Sequence, residues 1–149
     1  MAIHAGVGVS RHSDSYHAGF EAAKTAADRA GGAPDFMIAF ASTTFDQKEA
    51  VRGISDAGGK ALLVGCSDAG EITNDGPTQK AVAVMAIRSD TISFTTGLGK
   101  NIKGGAREAG RAVAQEVKDK AKMPLRAFIM LPDVLTGNGA DIVRGVLDV

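Results

Sequence analysis

Phe36-Met37-Ile38-Ala39-Phe40-Ala41 is an unbroken run of six apolar residues, preceded by Gly31-Gly32 and followed by Ser42-Thr43-Thr44. A strand with one wet face alternates in polarity, so a short continuous run between turn residues predicts a strand covered on both faces. The segments around it supply that cover. Tyr16, Phe20, Ala23, Ala27 and Ala30 recur at steps of four and three, with Glu21, Lys24, Asp28 and Arg29 opposite, which is the period of a helix. Ser13 or Ser15 is placed to cap its start, and Gly31-Gly32 ends it. On the other side Asp46 offers an N-cap with Glu49 three residues on. Phe45 is placed as a staple, and Val51 and Ile54 face inward until Gly58-Gly59.

Extending outward, Ile3 to Val9 alternates around glycines and reads as a strand running into Ser10-Arg11-His12-Ser13. Ala61-Leu62-Leu63-Val64 reads as a third, buried strand. After Ile72 the pattern changes. Asn74-Asp75-Gly76-Pro77 is a turn cluster, and 81–87 and 91–96 read as two strands joined through Arg88-Ser89-Asp90. That places a β-hairpin in the middle of the chain and predicts a mixed, partly parallel sheet. A helix follows over about 104–120, with Ala106, Gly110, Val113 and Val117 inward. The segment 127–131 reads as another buried strand, stopped by Pro132, and 138–149 as an apolar-faced helix with no stop signal. The expectation is one α/β domain over 1–149, layered helix on sheet, without an internal repeat and truncated at its end.

The 149 residues carry 17 Lys plus Arg and 17 Asp plus Glu, so no net field gathers polyanions, and no nucleic-acid partner is expected. No apolar run approaches the roughly 18 residues of a membrane span, so the reading is a cytoplasmic protein with no membrane partner. One cysteine excludes an internal disulfide. No cofactor is expected. Metal ligation is not expected either, with a single cysteine and histidines scattered at 4, 12 and 17.

Two strand-helix units with right-handed crossovers make the first three strands parallel, so their carboxyl ends share one sheet edge, where open α/β sheets bind ligands. That edge collects Ser10, Arg11 and His12, then Ser42, Thr43 and Thr44, then Cys66, Ser67, Asp68 and Glu71. A cation, hydroxyls and carboxylates on one rim suit a small zwitterion such as an amino acid, its carboxylate toward Arg11 and its amine toward Asp68 or Glu71. Caps and turn formers would produce the same residue types without a ligand. Cys66 as a nucleophile has His12 as its one plausible base, the basis of an alternative reading as a small hydrolase or transferase. Gly6-Val7-Gly8 and Gly97-Leu98-Gly99-Lys100 match neither dinucleotide nor phosphate-loop spacing.

Gly6-Val7-Gly8-Val9-Ser10, Asp14-Ser15-Tyr16, Phe40-Ala41-Ser42, Gly65-Cys66-Ser67-Asp68-Ala69-Gly70-Glu71-Ile72 and Ala81-Val82-Ala83-Val84-Met85 together resemble the N-terminal half of a FIST domain. The resemblance implies a sensory input module of signal transduction that binds a small ligand and performs no catalysis. It carries over Ser10, Ser42, Cys66, Ser67, Gly70 and Glu71. It also implies a FIST C half and a downstream signalling output as partners, and the face such a half would cover invites homo-oligomers.

Overall fold

The structure, a computed structural model, describes residues 2–73, 76–133 and 135–149. The chain divides into two compact units, one up to Ile92 and one from Ser93. The first holds β1 (Ile3–Ser10), α1 (Ser15–Arg29), β2 (Phe36–Ser42), α2 (Gln47–Gly58), β3 (Leu62–Asp68), β4 (Glu71–Thr73), β5 (Gly76–Thr78) and β6 (Val82–Ser89). The second holds α3 (Ala106–Lys120) and α4 (Gly139–Leu147). The α/β class and the mixed sheet are as the sequence predicts.

The main sheet runs β1-β6-β2-β3. β6 is antiparallel to both β1 and β2, and β3 is parallel to β2. β1, β2 and β3 therefore point the same way and deliver their carboxyl ends to one edge, as expected. They do not lie side by side, because β6 inserts between β1 and β2. Its Val82, Val84 and Ala86 are almost wholly buried, and a central position is the one that covers a strand of this kind on both faces.

That insertion explains why the expected pairing of 81–87 with 91–96 does not form. Both edges of β6 are taken, by Ser10↔Val82 through Ile3↔Ser89 on one side and Phe36↔Ile87 through Ala41↔Val82 on the other. The hairpin in the middle of the chain is instead β4–β5, with Glu71 opposite Thr78 and Thr73 opposite Gly76. Of the turn cluster read there, Asn74 and Asp75 lie outside the described residues.

α1 buries Ala18, Gly19, Ala22, Ala23, Ala26 and Ala27, a wider face than the predicted stripe, while Tyr16 and Phe20 stay half-exposed. The reason is that α1 is gripped twice, by the sheet through Gly6 and Gly8 and by α2 through Gly19. Its cap is Asp14, whose Oδ1 accepts from the His17 amide at 2.9 Å, rather than Ser13 or Ser15. Asp46 caps α2 as predicted, accepting from the Lys48 and Glu49 amides. In the second unit α3 buries Ala109, Gly110, Ala114 and Val117, and Asn138 caps α4 through the Ala140 amide. The expected buried strand over 127–131 carries no strand pairing, and Ile129 there is 66% exposed.

The two units repeat one another, contrary to the sequence reading. α1 and α3 each span 15 residues and have Ala-Gly in fourth and fifth place, Ala18-Gly19 and Ala109-Gly110. α2 and α4 each have Val-Arg-Gly in fifth to seventh place, Val51-Arg52-Gly53 and Val143-Arg144-Gly145. The packing matches too. Gly19 lies against the carbonyl of Ala50 and Gly53 against that of Tyr16, while Gly110 lies against Ile142 and Gly145 against Arg107, in the same register. Ahead of each first helix a Gly-x-Gly rests on it, Gly6 and Gly8 on α1, Gly97 and Gly99 on α3.

Candidate functional site

At the end of β1 the buried Ser10 hydroxyl donates to Glu21 Oε2 at 2.7 Å and accepts from the His12 amide at 3.2 Å. This turns the chain so that Arg11 points away from the core. Its Nε and Nη2 both donate to Thr78 Oγ1, at 2.9 and 2.6 Å, which ties the β1 loop to the β4–β5 hairpin. At the end of β2 the buried Ser42 hydroxyl lies 3.1 Å from Thr44 Oγ1, and the exposed Thr43 gives its amide to the Asp68 carbonyl at 3.0 Å. Cys66 and Ser67 are exposed on β3, opposite Phe40 and Ala41 in register.

Glu71 is the unusual residue. It is 4% exposed, and neither carboxyl oxygen makes a hydrogen bond of good geometry, although the Glu71 and Ala81 backbone amides and the Asp68 carboxyl lie close enough to act on it. Oδ1 of Asp68 is buried with no such bond either. Burial pushes the Glu71 acid above its ordinary value, and the Asp68 charge beside it pushes the same way. Two carboxyls so placed favour a proton or a cationic group between them, because an uncompensated buried charge is costly.

An open cleft of about 640 Å³ is lined by Arg11, Gly70, Glu71, Ile72, Pro77, Thr78 and Gln79. Of the residues singled out in the sequence, Arg11, Gly70 and Glu71 line it, and Asp68 stands next to Glu71. Ser10, Ser42, Thr43, Cys66 and Ser67 share the sheet edge but not the cleft wall. Thr78 and Gln79 were missed, since only the register of a three-residue hairpin brings them opposite Glu71 and Gly70.

Partial desolvation by its neighbours, then the Asp68 charge, pushes the thiol of the exposed Cys66 above its usual value. The Asp14 carboxylate engages His17, with Oδ1 to Nδ1 at 2.8 Å, while His12 Nδ1 accepts from the Asp14 amide at 3.0 Å. His12, Asp14 and His17, expected to be scattered, thus meet on the surface with ligand atoms within 4.8 Å of one another. Helix capping accounts for the grouping, and the His-x-Asp-x-x-His spacing was its signal in the sequence.

The family model described as FIST N domain matches residues 35–149. The chain belongs to the FIST N domain family. FIST N domains are sensory domains of signal transduction. The match spans β2 to α4 and includes the Gly65-to-Ile72 stretch with Asp68 and Glu71. Ser10 and Arg11 precede it. No curated protein matches the chain. No helix among the described residues of this FIST N domain is long and apolar enough to cross a membrane.

Proposed function

We propose that this FIST N domain senses a small zwitterion, an amino acid or a derivative of one, bound in the cleft between Arg11 and the β4–β5 hairpin. The observation that carries the reading is the buried Glu71 carboxyl, without a well-formed hydrogen bond, on the same cleft wall as Arg11. An ammonium group would supply the charge that Glu71 and Asp68 lack, and Arg11 keeps guanidinium N–H groups beyond the two held by Thr78 for a carboxylate. The raised Cys66 thiol supports a reading without covalent chemistry over the hydrolase alternative with His12. In this proposal the domain works in the cytoplasm and passes occupancy to a FIST C half and a signalling output.

The test is thermal unfolding of the chain against a panel of free amino acids. A ligand at 100 times its dissociation constant adds about 2.7 kcal/mol. The expected result is a shift with at least one member, lost in Glu71→Gln and Arg11→Ala. A shift that survives both substitutions would place binding elsewhere and end the proposal.

A further inference from the structure

Where β1 hands over to α1, the exposed side chains of His12, Asp14 and His17 bring one ligand atom each to within 4.8 Å of the others. Helix capping gathers the three, but a helix of this length does not require them. The internal repeat supplies the comparison. α3 takes the place of α1 in the second unit, and the positions of His12, Asp14 and His17 are held there by Lys103, Gly105 and Glu108. Gly105 makes no side-chain cap, and α3 still runs for 15 residues.

The geometry within the group is that of ligands around an ion. Asp14 Oδ1 and His17 Nδ1 lie 2.8 Å apart. Two ligands about 2.1 Å from one metal, at right angles to each other, are separated by about 3 Å. A metal can therefore replace the proton between them, with His17 moving its own proton to Nε2 on the water side. His12 is already in the tautomer that ligation needs, because its Nδ1 accepts from the Asp14 amide at 3.0 Å and so turns a lone pair toward the group. The amide it gives up is on the surface, where water takes its place. The Tyr16 ring packs edge-on against His17, centroids 5.4 Å apart, and steadies it. The Asp14 carboxylate offsets the positive end of the helix dipole, which would otherwise repel a cation.

We propose that the turn between β1 and α1 is a transition-metal site in which His12 Nδ1, Asp14 Oδ1 and His17 Nδ1 hold one divalent ion of the Zn2+ or Ni2+ type. Two imidazoles and a single carboxylate select such borderline ions over Mg2+ and Ca2+, which take oxygen ligands. Water fills the open positions. His12 directly follows Arg11, so the ion ties down the turn that presents Arg11 to Thr78.

The experiment titrates the untagged full chain with ZnCl2 in a buffer free of chelators and thiols, read by calorimetry. The expected result is one Zn2+ per chain. Its affinity falls by at least about tenfold, which even the loss of an outer-shell partner costs, in His12→Gln and in His17→Gln. Asp14→Asn, which keeps the helix cap, should weaken it too. Melts without metal establish that each variant is folded. A readout on the parent needs no variant at all: the ring nitrogen NMR shifts of His12 and His17 move with Zn2+ while those of His4 stay. No movement at His12 and His17 overturns the proposal. So does Zn2+ binding that persists in the double His12→Gln/His17→Gln chain, which would put the ion at Cys66 or Glu71, and so does equal binding of Mg2+.

Discussion

Arg11 and Thr78 lie far apart in the chain, and Thr78 Oγ1 accepts from both Nε and Nη2 of Arg11. Thr78 is in turn the ladder partner of Glu71. One side-chain contact therefore fixes the three-residue strands of β4–β5, too short to hold themselves, against the end of β1. Removing the acceptor with Thr78→Val should cost about 1 kcal/mol, the net worth of an ordinary hydrogen bond at a partly exposed site. Amide exchange at Glu71, Ile72 and Thr73 should speed up while β2 and β6 keep their protection. Equal loosening across the whole first unit would show that the contact is not local.

The buried Glu71 gives a pH signature. Its folded pKa is raised above the ordinary value of 4.5, so the folded state holds a proton that the unfolded state has released. Stability should fall as pH rises from about 4.5 through the folded value and level off above it. Glu71→Gln keeps the shape and removes the titration. It should be more stable than the parent at pH 7 by about 1 kcal/mol, the low end of the cost of a buried unsatisfied group, and nearly equal at pH 4. Urea unfolding at the two pH values reads the difference, and a gap that is the same at both would reject the assignment.

Asp148 behaves in the opposite sense. Arg107 Nε and Nη2 reach it at 2.8 Å and Arg111 Nη2 at 3.1 Å, and these guanidinium groups hold its carboxyl well below the usual carboxylate range. A depressed pKa contributes stability that is present above the unfolded value of 3.8 and lost as pH falls below it. Asp148→Asn should therefore loosen α3 against α4 at neutral pH, with the difference from the parent shrinking below pH 3.8. Exchange of α4 amides at pH 7 and pH 3 is the measurement.

The glycine contacts predict a matched pair of defects. A Cβ on Gly19 would meet the Ala50 carbonyl and one on Gly110 the Ile142 carbonyl, backbone atoms that cannot swing away. Gly19→Ala and Gly110→Ala should each cost about 3 kcal/mol, the upper range for overpacking. Gly105→Ala, whose new Cβ would lie 3.7 Å from Glu108 Cβ, should be nearly neutral. Urea melts of the three variants decide it. A Gly110→Ala protein as stable as the parent would remove the basis for matching α3–α4 with α1–α2.

Much of the fold was legible because period and punctuation are local. The unbroken run in β2, the small-residue period of α1, Asp46 before α2 and Gly31-Gly32 after α1 each act within a few residues, and all sit where the pattern put them. The shared direction of β1, β2 and β3 followed from crossover handedness, and it brought Arg11, Ser42 and Asp68 to one edge. The repeat was also written in the chain, as Val-Arg-Gly twice and Ala-Gly twice. It went unread because five matched residues are faint until identical backbone contacts give them meaning.

The amino-acid order alone thus determined the four helices, the strands β1, β2, β3 and β6, and that the early strands end together, since these rest on neighbours in sequence. Tertiary structure decided that β6 enters the middle of the sheet, that Thr78 rather than a nearby residue holds Arg11, and that Glu71 is shut away from water. Those outcomes depend on which distant surface is free to take a hydrogen bond or an apolar face, and that competition is settled across the whole fold rather than within any stretch of it.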